Sequence, residues 1–262
     1  MDIIQILLNS TNKSTRKVLP ILVYSDILSE ALAKAKNLGY ITINISSIFG
    51  ERVLDILNEL KVLRNSDLID SNQSEFIDKI DLVIQSIVET GQEGNLSNII
   101  GDLFESLILH LLKDIYSSAS ITANKFLPNK LKISTTKEFE YDFIIDVGFE
   151  ETIVVEVKGY NHNNIIPYGE HDKKNTIKWF LNHTFLSAKK TLEKRSENPI
   201  KACYITTAKF SDETIDELEV LNKGRLKPSK MDLFYDGKKL LDLLETSGNK
   251  ELKRVIKKHY FK

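Results

Sequence analysis

The sequence predicts a mixed α/β protein, and three observations carry that prediction. Short β-branched runs alternate with amphipathic segments of helical period along most of the chain. Two strand-like runs stand next to one another in "FEYDFIIDVGFEETIVVEVKGY", residues 139–160. Just before them, Ile100, Leu103, Phe104, Leu107, Ile108, Leu111, Leu112 and Ile115 make one broad apolar helical stripe.

The N-terminal elements come first. "VLPILVY", residues 18–24, reads as a strand with Pro20 near its start. "SDILSEALAKAKNLG" follows as a helix, with Ser25 and Asp26 as cap candidates and Gly39 as its stop. "YITINIS" is a second strand and "GERVLDILNELKVL" a second helix, a β-α-β-α order that suggests a parallel strand pair. A further helix, "SEFIDKIDLVIQSIVE", sets Phe76, Ile77, Ile80, Val83, Ile84, Ile87 and Val88 on one face. It ends at "TGQEGN", where Gly91 and Gly94 mark a boundary. The expected division is a small α/β module over 1–95 and a larger mixed α/β domain over 96–262.

The larger domain opens with the apolar helix "NIIGDLFESLILHLLKDIY", on which Glu105 lies at the margin of the stripe. The two strands of 139–160 follow, then a polar loop, "NHNNIIPYGEHDKKN". The helix "TIKWFLNHTFLSAKKTLEK", the strand "KACYITT" and a helix begun at "FSDETIDEL" come next. "KMDLFYDG" and "KKLLDLLE" complete the series as a strand and a helix. Trp179, Phe180 and Phe185 follow helical spacing and are assigned to the core.

Composition bounds the function. Of the 262 residues, 42% are hydrophobic and 28% charged, as in an ordinary soluble globular protein. A formal net charge of −1 argues against a uniformly basic coat for nucleic acid but leaves room for a local basic groove. The lone cysteine, Cys203, excludes disulfide scaffolds and cysteine-based zinc sites and suits a reducing compartment. The first residues carry too short an apolar run for a signal peptide. No stretch approaches the roughly 20 apolar residues of a spanning helix. The expectation is a cytoplasmic protein with no membrane partner. No glycine-rich phosphate loop is present, which argues against ATP-driven translocation.

The charges within 139–160 are the informative ones. Alternate residues of a strand point the same way, so Glu156 and Lys158 share a face, as do Glu140, Asp142, Ile144 and Asp146. A hairpin turning near "GFEE" sets Asp142 beside Glu156. Two adjacent carboxylates repel unless a cation lies between them, and a hard divalent ion such as Mg²⁺ suits two carboxylates and a carbonyl. Lys158 beside them would orient or help deprotonate a water, or stabilise charge developing on a phosphate. Glu105 would add a carboxylate from above the sheet. A Glu-x-Lys pair alone is a common surface pattern. Its placement as the only charges in the apolar run "IVVEVKG", together with an acid on an apolar helix and an upstream Asp, is more specific.

These motifs, "LFESLI", "EYD", "VVEVKGY" and "YITTAKFSDETI", resemble the PD-(D/E)XK nuclease superfamily, with Mrr-like restriction endonucleases and Holliday-junction resolvases as the nearest look. The resemblance covers roughly residues 98–245. It implies a restriction-endonuclease-like mixed sheet flanked by helices and an Mg²⁺- or Mn²⁺-dependent deoxyribonuclease. It implies metal-liganding carboxylates at Asp142 and Glu156, a catalytic lysine at Lys158 and an auxiliary acid at Glu105. The first motif lacks the family's proline and glycine-rich approach, so Asp146 stands as an alternative to Asp142. No Gln follows the third motif where some branches use one, and Lys174, Asn175 and Lys178 are the polar residues there. Lys173, Lys174 and Lys178 are the expected nucleic-acid contacts, with DNA as partner and a homodimer as the default assembly. Lys223, Arg225, Lys227 and Lys230 form a second cationic cluster, and His162 and His171 a weaker metal candidate. The alternative function is a catalytically silent nucleic-acid-binding or ligand-gated module on the same fold.

Overall fold

A computed structural model describes residues 21–24, 27–44, 73–89, 91, 97–131, 137–169, 176–194 and 197–261. The chain divides into two compact units, residues 1–65 with 86–92, and residues 66–85 with 93–262.

In the smaller unit, β1 (Ile21–Tyr24) and β2 (Ile41–Asn44) pair in parallel, joined by α1 (Ser29–Asn37). The parallel pair is the one expected from the sequence. The helix begins at the extended residue Leu28, with no side-chain cap. Of the two cap candidates, Ser25 and Asp26 both lie outside the described residues, as does the expected helix of residues 50–63. Gly39 takes φ +80° just past the helix end, the left-handed conformation a helix stop asks for.

The larger unit is built on a five-stranded mixed sheet in the order β3-β4-β5-β7-β9. Its strands are β3 (Ser120–Pro128), β4 (Glu138–Asp146), β5 (Thr152–Lys158), β7 (Ile200–Thr206) and β9 (Phe234–Tyr235). β3, β4 and β5 are antiparallel neighbours, while β7 and β9 run parallel to β5. A short parallel pair, β6 (Ile165–Ile166) with β8 (Lys209–Phe210), stands apart from that sheet. The helices are α2 (Gln73–Glu89), α3 (Ser97–Ile115), α4 over 177–192, α5 (Asp212–Asn222), α6 (Gly237–Thr246) and α7 (Lys250–Tyr260).

Both sheet faces are covered. On one, Ile144, Val154, Ala202, Tyr204 and Phe234 pack with Ile177, Phe180, Phe185 and Ala188 of α4 and Leu218 of α5. Trp179, Phe180 and Phe185 are buried, as their spacing predicts. On the other, α3 packs on β5, and its expected stripe is buried from Leu103 to Leu112. α7 lies against α3, with the rings of Tyr260 and Phe104 4.9 Å apart and the Tyr260 hydroxyl donating to the Ile100 carbonyl at 2.8 Å.

Residues 73–85 of α2 belong to this larger unit, and an ion cluster ties them to α7. The half-exposed Arg254 donates to Asp81 at 2.7 Å and to Asp78 at 3.0 Å, and Lys258 reaches Asp81 at 2.8 Å. The His259 ring also bonds Asp81, at 2.5 Å. Burial raises the Asp81 carboxyl, but these three donors outweigh it and hold the group below the usual carboxylate range.

Several elements differ from the sequence reading. The edge strand β3 was not expected, nor were α7 and the short pair β6 and β8, of which β6 lies in the segment read as a polar loop. The last strand shrinks to two residues because side chains take over its ends: the Leu233 amide donates to the Asn222 side chain at 2.7 Å, and Asp236 caps α6 through the Lys239 amide at 2.9 Å.

Candidate functional site

The site forms where the paired part of β4 and β5 stops. The two strands leave a turn at residues 147–151, in which Gly148 takes φ +65°, and pair from Asp146–Thr152 to Phe143–Val155. Asp142 and Glu156 stand just past the last pair. There the Asp142 carboxylate, rather than a strand carbonyl of β4, takes the Val157 N–H, at 2.6 Å.

The expected alternation on β4 does not hold through this point. Glu140, Asp142, Ile144 and Asp146 were expected on one face. Instead Tyr141 and Ile144, an odd and an even position, both join the buried cluster under α4. Opposite, Asn124 sits at φ +50°, and the Asn124–Asp142 pair is absent from an otherwise continuous β3–β4 register. Asn tolerates this left-handed conformation better than most residues, and such local breaks re-aim side chains in the manner of a bulge. The alternation slips at Asp142 and Phe143. Both line a cavity of about 440 Å³ together with Asn124 and Glu140 and with Asp102 and Glu105 of α3.

Lys158 closes the cluster. Its Nζ lies 2.9 Å from Glu156 Oε1 and 3.3 Å from Asp142 Oδ2, and donates to the Val157 carbonyl at 3.0 Å. Burial disfavours the ammonium, but the Glu156 and Asp142 charges outweigh it and raise its pKa above the ordinary lysine value. Lys158 is therefore a fixed cation at neutral pH. Burial raises the Glu156 carboxyl against the pull of that ammonium, and the Asp142 charge adds to the rise. Glu105, half-buried, is pushed up to about 7, first by burial and then by the neighbouring Asp142 charge. Asp142, Glu156, Lys158 and Glu105 are thus brought together. Asp146 is exposed at the opposite end of β4, paired with Ser120 and Thr152.

Residues that the sequence reading includes in its motifs without assigning them a role hold this rim in place. Gly159 follows Lys158 directly, and a Cβ there would lie 2.9 Å from the Phe104 ring, so only glycine lets α3 approach the end of β5. That approach brings Glu105, the neighbour of Phe104, over the site. The hydroxyl of Thr206 donates to the Lys158 carbonyl at 2.8 Å, and Thr207 bonds the Tyr160 carbonyl. "ITT" on β7 thus clamps the backbone that follows the Glu-x-Lys motif.

Of the other candidates, Lys178, Lys227, Lys230 and His162 are engaged in contacts of their own. Lys173, Lys174 and His171 lie outside the described residues. Lys178 places its ammonium over the Tyr168 ring at 5.7 Å. Lys227 pairs with Asp232 at 2.8 Å, and Lys230 lies over Tyr116 at 5.5 Å. His162 bonds the Thr207 carbonyl at 3.2 Å and packs on Phe261. No helix among the described residues is long and apolar enough to cross a membrane.

Among the described residues no group of three or more His, Cys, Asp or Glu side chains is placed to hold a metal ion. The donor set at the rim is of another kind, two carboxylates and a backbone carbonyl that converge on one cationic atom, Lys158 Nζ. Three oxygens directed at one cation are the chemistry a hard divalent ion takes.

Fold and rim define an α/β protein with a mixed five-stranded sheet and a carboxylate–lysine cluster at a strand end. No family model, curated protein or solved structure matches the chain.

Proposed function

We propose that the chain is a metal-dependent endonuclease of the PD-(D/E)XK type that hydrolyses phosphodiester bonds of DNA. The observation that carries this reading is the convergence of Asp142, Glu156 and the Val157 carbonyl on one cation, next to an acidic cavity that contains Glu105. Asp142, Glu156 and that carbonyl would hold Mg²⁺ or Mn²⁺, with Glu105 nearby. When bound, such an ion supplies Lewis-acid activation of water and of the phosphate.

The roles of the side chains follow from their charge. Lys158, held as an ammonium, donates hydrogen bonds and stabilises negative charge growing on the phosphate oxygens; it does not serve as a base. Glu105 exchanges a proton readily near neutrality, so it is the group suited to accept one at its carboxylate. Asp142, tied to the Val157 amide, keeps a fixed orientation. Cutting both strands of a duplex calls for two such sites, so a homodimer is part of the proposal.

The test is incubation of supercoiled plasmid with the protein in Mg²⁺, Mn²⁺ or EDTA. Nicked and linear DNA in the metal-containing reactions alone is expected. Intact plasmid under every condition, with single-stranded DNA and RNA also uncut, refutes the reading.

A further inference from the structure

The break in alternation at Asp142 has an anchor one residue away. The Tyr141 side chain is fully buried on the α4 side of the sheet, and its hydroxyl donates to the Thr184 carbonyl at 2.8 Å. Thr184 ends a π-helical turn, Phe180–Thr184, between the α-helical stretches Ile177–Trp179 and Phe185–Leu192 of α4. In that turn the Phe185 N–H reaches back five residues to the Phe180 carbonyl, and the Thr184 hydroxyl bonds the same carbonyl at 3.1 Å. A π turn inserts a residue into a helix and shifts its carbonyls off the regular ladder, and such turns recur at functional sites.

The same helix also holds the neighbouring strand. Ser187 donates to the Pro128 carbonyl at 3.2 Å and accepts the Lys130 N–H at 3.0 Å, which fixes the end of β3. α4 therefore grips β3 at its end and β4 at Tyr141. Between the β4 grip and the regular ladder at Phe143–Val155 there is one residue, Asp142. With both flanks held, its backbone must absorb the mismatch, and its carboxylate turns to the Val157 amide.

We infer that Tyr141 is a positioning residue for Asp142: its hydroxyl, seated on the π turn of α4, fixes the slip in β4 that aims the Asp142 carboxylate at the Val157 amide and the cavity. Its importance for cleavage rests on the nuclease reading; its effect on Asp142 does not.

The experiment compares wild type with Tyr141→Phe, which keeps the ring in the core and removes only the hydroxyl. Hydrogen exchange followed by NMR reads the Val157 amide, with Ile153 on the same strand as control. Exchange at Val157 is expected to accelerate about tenfold in Tyr141→Phe while Ile153 is unchanged. Asp142→Asn should give a similar acceleration, and adding Tyr141→Phe to it should give little more. Calorimetric titration with Mn²⁺ is expected to show roughly five-fold weaker binding by Tyr141→Phe. Unchanged exchange at Val157, or equal acceleration at Val157 and Ile153, overturns the inference and leaves Tyr141 a purely structural residue. If wild type neither binds Mn²⁺ nor cuts DNA while Val157 still responds, the nuclease reading falls and the positioning role stands.

Discussion

The ammonium of Lys158 stands 2.9 Å from the Glu156 carboxylate, and the same Nζ touches Asp142 and the Val157 carbonyl. Lys158 thus offsets, in the metal-free protein, the repulsion that a divalent ion would offset in the loaded one. The two cations compete for one set of oxygens. Replacing Lys158 by Met should lower the melting temperature without metal, because two carboxylates lose their counter-charge. It should also raise Mn²⁺ affinity about five- to ten-fold and abolish cleavage. Thermal melts with and without Mn²⁺ check the first two effects, and a larger Mn²⁺-induced rise in the variant is the expected sign.

Gly159 tests the approach of α3. In Gly159→Ala the new methyl meets the Phe104 ring, which is fully buried and packed on Tyr260. The cost should be about 1–3 kcal/mol in urea unfolding, with α3 and Glu105 displaced from the site. Cleavage should fall by more than the loss of folded protein accounts for. Phe104→Leu, which makes room, should restore part of the stability.

Thr206 tests the clamp on the motif backbone. Its hydroxyl donates to the Lys158 carbonyl and accepts the Ala208 N–H at 3.2 Å. Thr206→Val keeps the shape but leaves both buried partners unpaired, at a cost of about 1–3 kcal/mol in chemical denaturation. Thr206→Ser should recover most of it.

His110 predicts how stability depends on pH. It is buried on α3 with its ring 4.7 Å from Phe76, and its Nε2 has no partner among the described residues. Burial, aided by Lys113 and opposed by Asp114, pushes its pKa down to about 4. The unfolded chain takes up this proton near pH ~6.5, so it binds more protons than the folded chain between there and about 4. The His110 contribution to stability is therefore complete above the unfolded value and is lost as pH drops through that window, by on the order of 2–3 kcal/mol. Asp81, held low by Arg254, Lys258 and His259, stabilises above its unfolded value of about 3.9 and loses that contribution only at more acidic pH. Glu105 and Glu156, both raised in the folded protein, titrate in the same range with the opposite sign, so the comparison is made between proteins: the urea midpoint of His110→Leu relative to wild type should be higher at pH 5 than at pH 7.5.

The sequence reveals the strands at 139–158 because their β-branched runs are buried on both faces, and it reveals Glu105 because an acid at the edge of an apolar stripe is conspicuous. It conceals β3 because an edge strand that is mostly exposed has little reason to be apolar, and "SITANKFLP" accordingly lacks a clear pattern. It conceals α7 because Leu252, Val255, Ile256 and Tyr260 are scattered among lysines, although their spacing and the cap at Asn249 were readable signals. Strand period alone misplaces Phe143 and Ile144, since the slip next to Asp142 depends on Asn124 across the ladder and on Tyr141 held by a helix some forty residues away. Those are tertiary constraints, and no local pattern announces them. The closeness of Asp142, Glu156 and Lys158 was legible from spacing; their suspension between Gly159, Thr206 and Tyr141 was not.

The central claim is that this rim performs phosphodiester hydrolysis. The most direct measurement is the initial rate of plasmid cleavage in Mn²⁺ by wild type, Glu156→Ala and Asp146→Asn, each shown to be folded. Loss of at least a hundred-fold in Glu156→Ala, with Asp146→Asn close to wild type, is the expected result. Equal rates for wild type and Glu156→Ala would contradict the claim and place any cleavage outside this cluster.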